Sequence, residues 1–302
     1  MAEVATLMTC LKGREDFTSR YLYLADRFSY EHKILIFKEK NSANFIIPSD
    51  IDVSVIETDN EIGGMNDIFK VLNKYKQIIL EYKYCHFVED DNFIFAKSLD
   101  RFIAFLENTD DYSAVVGKAF LHSKPDFIFI NNYDLPSIES ATTKERLEEF
   151  KGGLTYYSLF RSDVFSNICD VVSSISDDNM SELSFNIVAL AKTRVKFLNE
   201  LFLAREYPRP KIYNVPPSLE WLTNPKFSAE LKNLIGVLSK ELNLGLSDQE
   251  FFNLTLAQYF SKRFFTSKKI SYKGLIRNYQ NITIKNSNEV KNYLRILKTL
   301  RT

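Results

Sequence analysis

The sequence predicts an α/β fold in which a doubly wound, mainly parallel sheet is followed by a helical C-terminal extension. Short apolar runs alternate with helical patterns through the first two thirds of the chain, an order that places helices on both faces of a parallel sheet. A cluster of prolines between residues 208 and 217 interrupts regular structure, and leucines at helical spacing follow it. We expect one domain over residues 1–217 and a helical extension over residues 218–302.

The individual elements follow from the period of the apolar residues and from the turn residues between them. In the first part of the chain, strands are predicted at 4–9, 33–37, 51–57 and 84–88, and helices at 17–28, 66–75 and 96–106. Further along, strands are predicted at 114–118, 127–130 and 154–160, helices at 163–172 and from 183, and a strand pair or bent strand at 195–206. The polar stretch 131–144 has no clear period and predicts a loop.

The bulk composition excludes several classes of partner and cofactor. The 39 lysines and arginines balance the 39 aspartates and glutamates, so no overall charge indicates nucleic acid as a partner. The three cysteines are far apart and lack the spacing of a disulfide framework or a zinc site, which favours a reducing compartment. No apolar segment approaches the length of a membrane span, and the N-terminus lacks a signal-peptide pattern. We expect a soluble, cytoplasmic protein.

Three consecutive carboxylates, Glu89, Asp90 and Asp91, follow the predicted strand at 84–88. Adjacent acids repel one another, so a chain that places them after a buried strand usually supplies a cation or hydrogen-bond donors. Carboxylate oxygens are ligands of Mg²⁺ and Mn²⁺, whose coordination is usually completed by substrate phosphates. The alternative interpretation is a loop in which Asp91 or Asn92 caps a helix that begins near Phe93.

The predicted topology brings several polar segments to one edge of the sheet. Ligands of open α/β sheets bind at the carboxyl ends of the strands, which here are followed by residues 10–15, 57–61 and 89–92. A second acidic cluster, at 176–182, precedes the helix predicted from residue 183. We therefore expect the functional site at this edge.

The order of these features resembles a known family. A strand with a polar loop comes first, then a strand with an acidic end, Gly64-Met65-Asn66, the acidic triplet, and finally Phe160-Arg161 with an acid before a helix. Over roughly residues 4–205, this series resembles the GT-A-type nucleotide-sugar glycosyltransferases of the family-two kind. The resemblance implies transfer of a sugar from a nucleotide-diphosphate donor, with a UDP-sugar expected, to an acceptor hydroxyl.

The resemblance implies particular roles for the acids. The family's Asp-x-Asp motif matches Glu89-Asp90-Asp91, and its last acid binds the divalent metal that holds the donor diphosphate. Asp91 is therefore expected to bind Mn²⁺ or Mg²⁺, and Glu89, which replaces the motif's first aspartate, is the second expected ligand. The family's catalytic base lies in an acidic pair before a helix, which implies Glu182, with Asp178 as the second candidate.

The resemblance also implies a set of residues that bind the nucleotide sugar. The loop after the first strand is expected to close over the nucleotide, the end of the third strand to contact the base or ribose, and the end of the last strand to contact the diphosphate. The implied residues are Thr9, Lys12, Arg14, Glu15, Glu57, Asp59, Asn66, Glu89, Asp90 and Arg205.

The two acidic clusters suit the two ends of a sugar transfer. A cation at Asp91 would stabilise the charge that develops on the leaving nucleoside diphosphate. Glu182 would accept the proton of the acceptor hydroxyl, and inversion is expected by analogy. The implied acceptor is a glycan or glycolipid in polysaccharide or glycoconjugate synthesis.

Structural interpretations remain open for several of these residues. Glu182 also fits a first-turn acid near a helix dipole, and Arg205 also fits an exposed ion pair with Glu206. His86, inside an apolar strand, predicts a hydrogen-bonded core histidine. The basic, aromatic segment 259–272 is expected to pack as a helix on the domain, with peripheral membrane contact as the alternative.

Two other functions remain as alternatives. A nucleotidyltransferase uses a related sheet and acidic metal ligands, but it usually has a glycine-rich basic loop near its N-terminus, and residues 11–14 contain a single glycine. In a non-catalytic interaction module, the acids would be helix caps and the helical extension would carry the binding surface.

Overall fold

A mixed, largely parallel sheet with helices on its faces forms the body of the protein. The computed structural model describes residues 3–124, 127–129, 137–150, 155–206, 224–247, 250–251, 253, 255 and 287–300. The order of the strands across the sheet is β3-β2-β1-β4-β8-β6-β9-β5, and β7 pairs with β6 outside this path. The predicted α/β fold with a mainly parallel sheet is confirmed.

Four parallel strands form one half of the sheet. They are β1 (Val4–Cys10), β2 (Lys33–Glu39), β3 (Val53–Thr58) and β4 (Tyr84–Val88). β1 pairs with β2 on one side and with β4 on the other, and all seven of its residues are buried. Burial on both faces is typical of a central parallel strand and explains why this segment is apolar without alternation. The carboxyl ends of the four strands therefore lie along one edge of the sheet.

The other half of the sheet mixes strand directions. Its strands are β5 (Asn92–Ile94), β6 (Tyr112–Lys124), β7 (Phe127–Phe129), β8 (Leu159–Arg161) and β9 (Arg194–Glu206). β8 is antiparallel to both of its neighbours β4 and β6, whereas the long strands β6 and β9 run parallel with several register shifts. The bent strand predicted at 195–206 is one strand, and the strand predicted at 154–160 is a 3₁₀ turn over Thr155–Tyr157 followed by the short β8.

The segment after the acidic triplet does not form the helix that one of the two interpretations of the sequence expected near Phe93. Asn92–Ile94 forms β5 and pairs antiparallel with β9, so no helix begins near Phe93. The next helix begins at Ala96, and its N-cap residue Phe95 makes no side-chain cap. The interpretation in which Asp91 or Asn92 caps a helix at this point is therefore wrong.

Helices cover both faces of the sheet, and several begin with recognisable caps. Thr142 and Glu145 form a capping box at the start of α5, and the Asp177 carboxylate accepts a hydrogen bond from the amide of Met180 in the first turn of α7. α8 also begins with a cap: Asn224 is its N-cap residue and is followed by a proline at the first helical position. The helices whose bounds lie in the described ranges are α1 (Glu15–Arg27), α2 (Met65–Lys74), α3 (Lys76–Ile79), α4 (Ala96–Glu107), α5 (Thr143–Glu149), α6 (Ser162–Val172), α7 (Asp178–Lys192), α8 (Pro225–Leu242) and α9 (Ser287–Leu300).

The two C-terminal helices pack on the body of the protein. α8 buries its leucine stripe against α6 and α7, and α9 inserts Tyr293 against Phe93, with ring centroids 5.6 Å apart. None of the helices in the described ranges has the length and apolar composition that crossing a membrane requires. The boundary predicted at residue 217 and the aromatic segment 259–272 lie outside the described residues, so the division into two domains stays a prediction.

A buried polar cluster lies inside the parallel half of the sheet. The Nε2 atom of His86 is 2.8 Å from the hydroxyl of Thr6 and 3.2 Å from that of Tyr30, and all three side chains are buried. Burial, with a smaller contribution from His32, lowers the pKa of His86 to about 3. The expected hydrogen-bonded core histidine is therefore present, and it is held neutral.

The neutral state of His86 predicts an acid-sensitive fold. An unfolded histidine titrates near pH 6.5, so between about pH 6.5 and pH 3 the unfolded chain binds a proton that the native protein does not bind, and stability falls as the pH falls. We expect replacement of His86 by glutamine to reduce the loss of unfolding free energy between pH 7 and pH 5 by about 2 kcal/mol, measured by urea unfolding at each pH. His32→Gln is the matched control and should have a smaller effect, because His32 is only partly buried. An unchanged pH dependence in the His86 variant would show that another group causes the acid sensitivity.

Candidate active site

A cavity of about 580 Å³, lined mostly by polar and charged residues, lies at the carboxyl ends of β1, β2 and β3. Of the residues expected to bind the nucleotide sugar, Lys12, Arg14 and Asp59 line it. Its remaining polar lining comes mainly from the end of β2 and from the loop after β3: Glu39, Lys40, Asn41, Thr58, Asn60 and Glu61. The sequence analysis missed the end of β2, although the same rule on carboxyl ends of parallel strands includes it.

Arg14 connects this cavity to the acidic triplet. Its Nε atom donates to the Asp90 carboxylate at 2.9 and 3.1 Å, its NH2 atom also donates to Asp90, and NH2 lies 3.4 Å from Oδ2 of Asp91. All three side chains are buried. Burial lowers the pKa of the Arg14 guanidinium, but its hydrogen bonds to Asp90 and the negative charges of the acidic triplet together more than offset this, so the pKa lies above its ordinary value. Asp90 and Asp91 thus share one protein cation.

The ring of Phe17 makes a cation–π contact with the guanidinium of Arg14. Phe17 lies in the first turns of α1, and the Cζ atom of Arg14 is 4.3 Å from the centre of its ring. The Cζ atom of Arg20 is 4.7 Å from the same ring, and its NH2 atom lies 2.8 Å from Glu206 at the end of β9. These cation–π contacts fix the position of Arg14 relative to α1.

Glu89 belongs to a second group of side chains. Its carboxylate accepts hydrogen bonds from the hydroxyl of Tyr157 and from Nδ2 of Asn92, the latter at 3.1 Å. The NH2 atom of Arg205 lies 3.9 Å from Glu89, and the Cζ atom of Arg205 is 5.2 Å from the centre of the Tyr157 ring. Arg205 therefore lies near the triplet, and Glu206 pairs with Arg20.

Tyr156 is a buried tyrosine whose electrostatic environment includes acids from both clusters. Burial raises the pKa of its hydroxyl well above the usual value, and the carboxylates of Glu182 and Glu89 add to this shift. α7 begins at Asp178, five residues before the predicted start, so the half-buried Glu182 lies beyond the first turn of that helix. Carboxylates of both acidic clusters, Glu182 and Glu89, therefore act on the hydroxyl of one buried tyrosine.

Asp178 has a clear structural partner. Its Oδ1 atom accepts a hydrogen bond of 2.9 Å from the backbone amide of Asn66 at the start of α2, and the amide group of Asn66 in turn donates to the carbonyl of Ile175. A Cβ atom on Gly64 would overlap the Asp178 carboxylate. Burial raises the pKa of Asp178 although the hydrogen bond from Asn66 opposes the shift. Asp178 and Asn66 thus tie the start of α7 to the start of α2.

The other expected site residues lie at the margins of the cavity. Thr9 is buried within β1, and Glu15 in α1 accepts a hydrogen bond of 2.8 Å from the amide of Ala43. Glu57 lies on β3, 3.8 Å from the amino group of Lys38, with 59% of its side chain exposed. Their roles in nucleotide-sugar binding stay predictions, as do those of the residues that line the cavity.

The acidic triplet offers ligands for a metal but does not form a complete cage. In the ranges that the structure describes, no group of three or more His, Cys, Asp or Glu side chains is arranged to hold a metal ion. Mg²⁺ and Mn²⁺ are often held by one or two carboxylates together with substrate phosphates and water, and Asp90 with Asp91 fits that arrangement. Glu89 instead accepts hydrogen bonds from Tyr157 and Asn92. The assignment of Asp91 and Glu89 as metal ligands stays a prediction.

Comparison with solved structures identifies the fold. The structure of S. aureus TarS residues 1–349 in complex with UDP-GlcNAc matches with a TM-score of 0.58 and 10% sequence identity, over 99% of this chain and 81% of that chain. Two further S. aureus TarS structures match with TM-scores of 0.55 and 0.54 at 12% identity, each over 99% of this chain and over 91% and 53% of theirs. No protein-family model and no curated protein sequence matches the chain. The chain therefore has the fold of nucleotide-sugar glycosyltransferases.

The contact between Gly64 and Asp178 predicts a sharp difference between two glycine substitutions. Gly64→Ala would displace the Asp178 carboxylate from the amide of Asn66, and we expect a loss of about 1–2 kcal/mol in unfolding free energy, measured by urea denaturation. Gly236→Ala, within α8, is the control, because nothing lies within 4 Å of its added Cβ and alanine favours the helix. Equal stability of the two variants would contradict the packing described for Asp178.

Proposed function

We propose that the protein is a glycosyltransferase that moves a sugar from a nucleotide-diphosphate donor, in the first place a UDP-sugar, to an acceptor hydroxyl. One observation carries the proposal: Arg14 lines the polar cavity and at the same time binds Asp90 and Asp91. A nucleoside in the cavity would then have its diphosphate beside Arg14 and the acidic pair. The fold match to TarS, which was solved with UDP-GlcNAc, supports UDP as the first nucleotide to test.

The cavity has the size and the polarity of a nucleotide site. Its volume of about 580 Å³ falls within the roughly 300–1,000 Å³ of small-molecule sites. Glu39, Asp59 and Asn60 offer oxygen atoms to a ribose or a base, and Lys12 and Lys40 supply positive charge for phosphate. These lining residues suit a donor that has both a polar nucleoside and an anionic diphosphate.

The donor diphosphate is proposed to meet both a protein cation and a divalent metal. Asp91 would hold Mn²⁺ or Mg²⁺, with Asp90 beside it, and such an ion stabilises the negative charge of the leaving nucleoside diphosphate. Arg14 orients the diphosphate from the cavity side, and Arg205 lies near Glu89 as a further diphosphate contact. Glu89 holds the side chain of Tyr157 and so shapes this part of the site.

The acceptor side is proposed to lie near Tyr156. Glu182 is the proposed base that takes the proton of the acceptor hydroxyl, with Asp178 as the second candidate and inversion as the expected outcome. We propose a glycan or glycolipid as acceptor, in polysaccharide or glycoconjugate synthesis. The three cysteines are free and buried, which supports action in the reducing cytoplasm.

Nucleotide binding tests the proposed function and the metal separately. We expect UDP and UDP-GlcNAc to raise the melting temperature more than UTP does, with a larger rise in Mn²⁺, because the cavity and the acidic pair bind one donor together. Asp91→Asn should lose the part of the shift that depends on Mn²⁺, whereas Asp111→Asn, whose carboxylate is 74% exposed, should keep it. A stronger response to UTP would favour a nucleotidyltransferase. No shift by any nucleotide, with or without Mn²⁺, would contradict the proposed function.

Two conservative variants test the base. Glu182→Gln should lower kcat for sugar transfer by about 10²–10⁴-fold while leaving UDP affinity unchanged, because the amide cannot accept the proton. Asp178→Asn should have a smaller effect, since the amide oxygen of asparagine can still accept the hydrogen bond from Asn66. The rates come from transfer assays with the donor identified by melting temperature. The reverse order of effects would identify Asp178 as the base.

A further inference from the structure

Arg14 is a cation that already contacts both Asp90 and Asp91. Its guanidinium donates to both carboxylate oxygens of Asp90 and also lies within 3.4 Å of Asp91. Only 9% of the Arg14 side chain is exposed, and the two aspartates are exposed by 3% and 4%. A metal ion on these carboxylates would lie close to the guanidinium, and the two cations would repel each other in this buried site, so Arg14 opposes metal binding.

We propose that Arg14 is the resident counter-ion of Asp90 and Asp91, and that a divalent cation binds this pair tightly only when a donor diphosphate draws Arg14 away. The inference rests on the proposed function, because the diphosphate is the anion that Arg14 exchanges for the carboxylates. Arg14 thereby acts as a positioning residue that couples cation binding to donor binding.

The position of Arg14 makes the exchange physically reasonable. The same side chain lines the nucleotide cavity, so a diphosphate there lies within its reach. Guanidinium groups bind phosphate and carboxylate in the same bidentate geometry, so a diphosphate can replace Asp90 as the partner. The incoming cation then takes the place of Arg14 on the two aspartates.

Charge balance favours a concerted exchange over two separate steps. Two buried carboxylates without a cation are strongly destabilised, as is a buried arginine without an anion. Before the exchange, Arg14 compensates Asp90 and Asp91. Afterwards the divalent cation compensates the aspartates and the diphosphate compensates Arg14. Neither the cation alone nor the diphosphate alone completes both pairs, so each should raise the affinity for the other.

Arg20 provides a matched control on the same surface. Its guanidinium packs on the ring of Phe17, as that of Arg14 does, but its carboxylate partner is Glu206. Arg20→Gln therefore removes a positive charge and a cation–π contact close to the site without removing the hydrogen bonds to Asp90. Arg14→Lys keeps a positive charge but loses the bidentate geometry.

The experiment measures Mn²⁺ binding by the electron paramagnetic resonance signal of free Mn²⁺, with and without saturating UDP, for the full chain and each variant. The wild-type protein should bind Mn²⁺ weakly alone and about tenfold more tightly with UDP. Arg14→Gln should bind Mn²⁺ alone about tenfold more tightly than wild type, and UDP should add little. Arg20→Gln should match wild type.

Each other outcome has a defined meaning. If Arg14→Gln binds Mn²⁺ as wild type does or more weakly, or if no variant binds Mn²⁺, the inference is wrong. If Arg14→Gln does not fold, Arg14→Lys replaces it and should show a smaller gain in Mn²⁺ affinity, and the absence of any gain overturns the inference. If UDP binds to none of the proteins but the gain in Mn²⁺ affinity is seen, the proposed function fails while the role of Arg14 as resident counter-ion stands.

Discussion

The parallel pairing of β1 with both β2 and β4 is the constraint on which the candidate site depends. Met8 lies beside Val88 in one pairing, and Cys10 lies beside Lys38 in the other. The chain therefore leaves β1 next to the points where it leaves β2 and β4, which brings the Arg14 loop to the acidic triplet. A shift by one residue would turn the buried side chains of β4 to the opposite face and move the triplet away.

The acidic triplet can exist at this edge because each carboxylate has a partner from another part of the fold. Arg14, in the loop after β1, donates hydrogen bonds to Asp90 and forms an ion pair with Asp91. Tyr157, in the segment before β8, donates a hydrogen bond to Glu89. Buried ion pairs add little net stability compared with apolar packing, but breaking one is costly. These contacts therefore account for the precise placement of the charges better than for the stability of the fold.

The sequence predicts the parts of this structure that depend on local periodicity. β4 is predicted at its observed bounds, and α4 to within one residue. The three-residue strand Asn92–Ile94 is missed because its strand character comes from pairing with β9, which lies far along the chain. The second half of the sheet has several such non-local pairings, and its predicted bounds are correspondingly less accurate.

In the candidate site, the sequence likewise shows the residue types but does not show which residues are partners. Acids at strand ends are visible in the sequence, and they indicated the edge of the sheet at which the cavity lies. The partner of each acid is not visible, because Arg14 and Asp90 are 76 residues apart, and Asn66 and Asp178 are 112 residues apart. Carboxylates that look equivalent in the sequence therefore differ in the fold: Asp90 pairs with a cation, and Asp178 with a helix amide.

That difference decides how a loss of activity in either acidic variant can be interpreted. Asp178 holds the start of α2, and the loop before α2 lines the cavity, so loosening this contact would change the cavity wall without any part in proton transfer. Glu182, in contrast, lies beyond the first turn of α7, where its carboxylate raises the pKa of the buried Tyr156. A base is therefore identified by a fall in kcat at constant donor affinity and stability, because loss of activity alone does not separate the two roles.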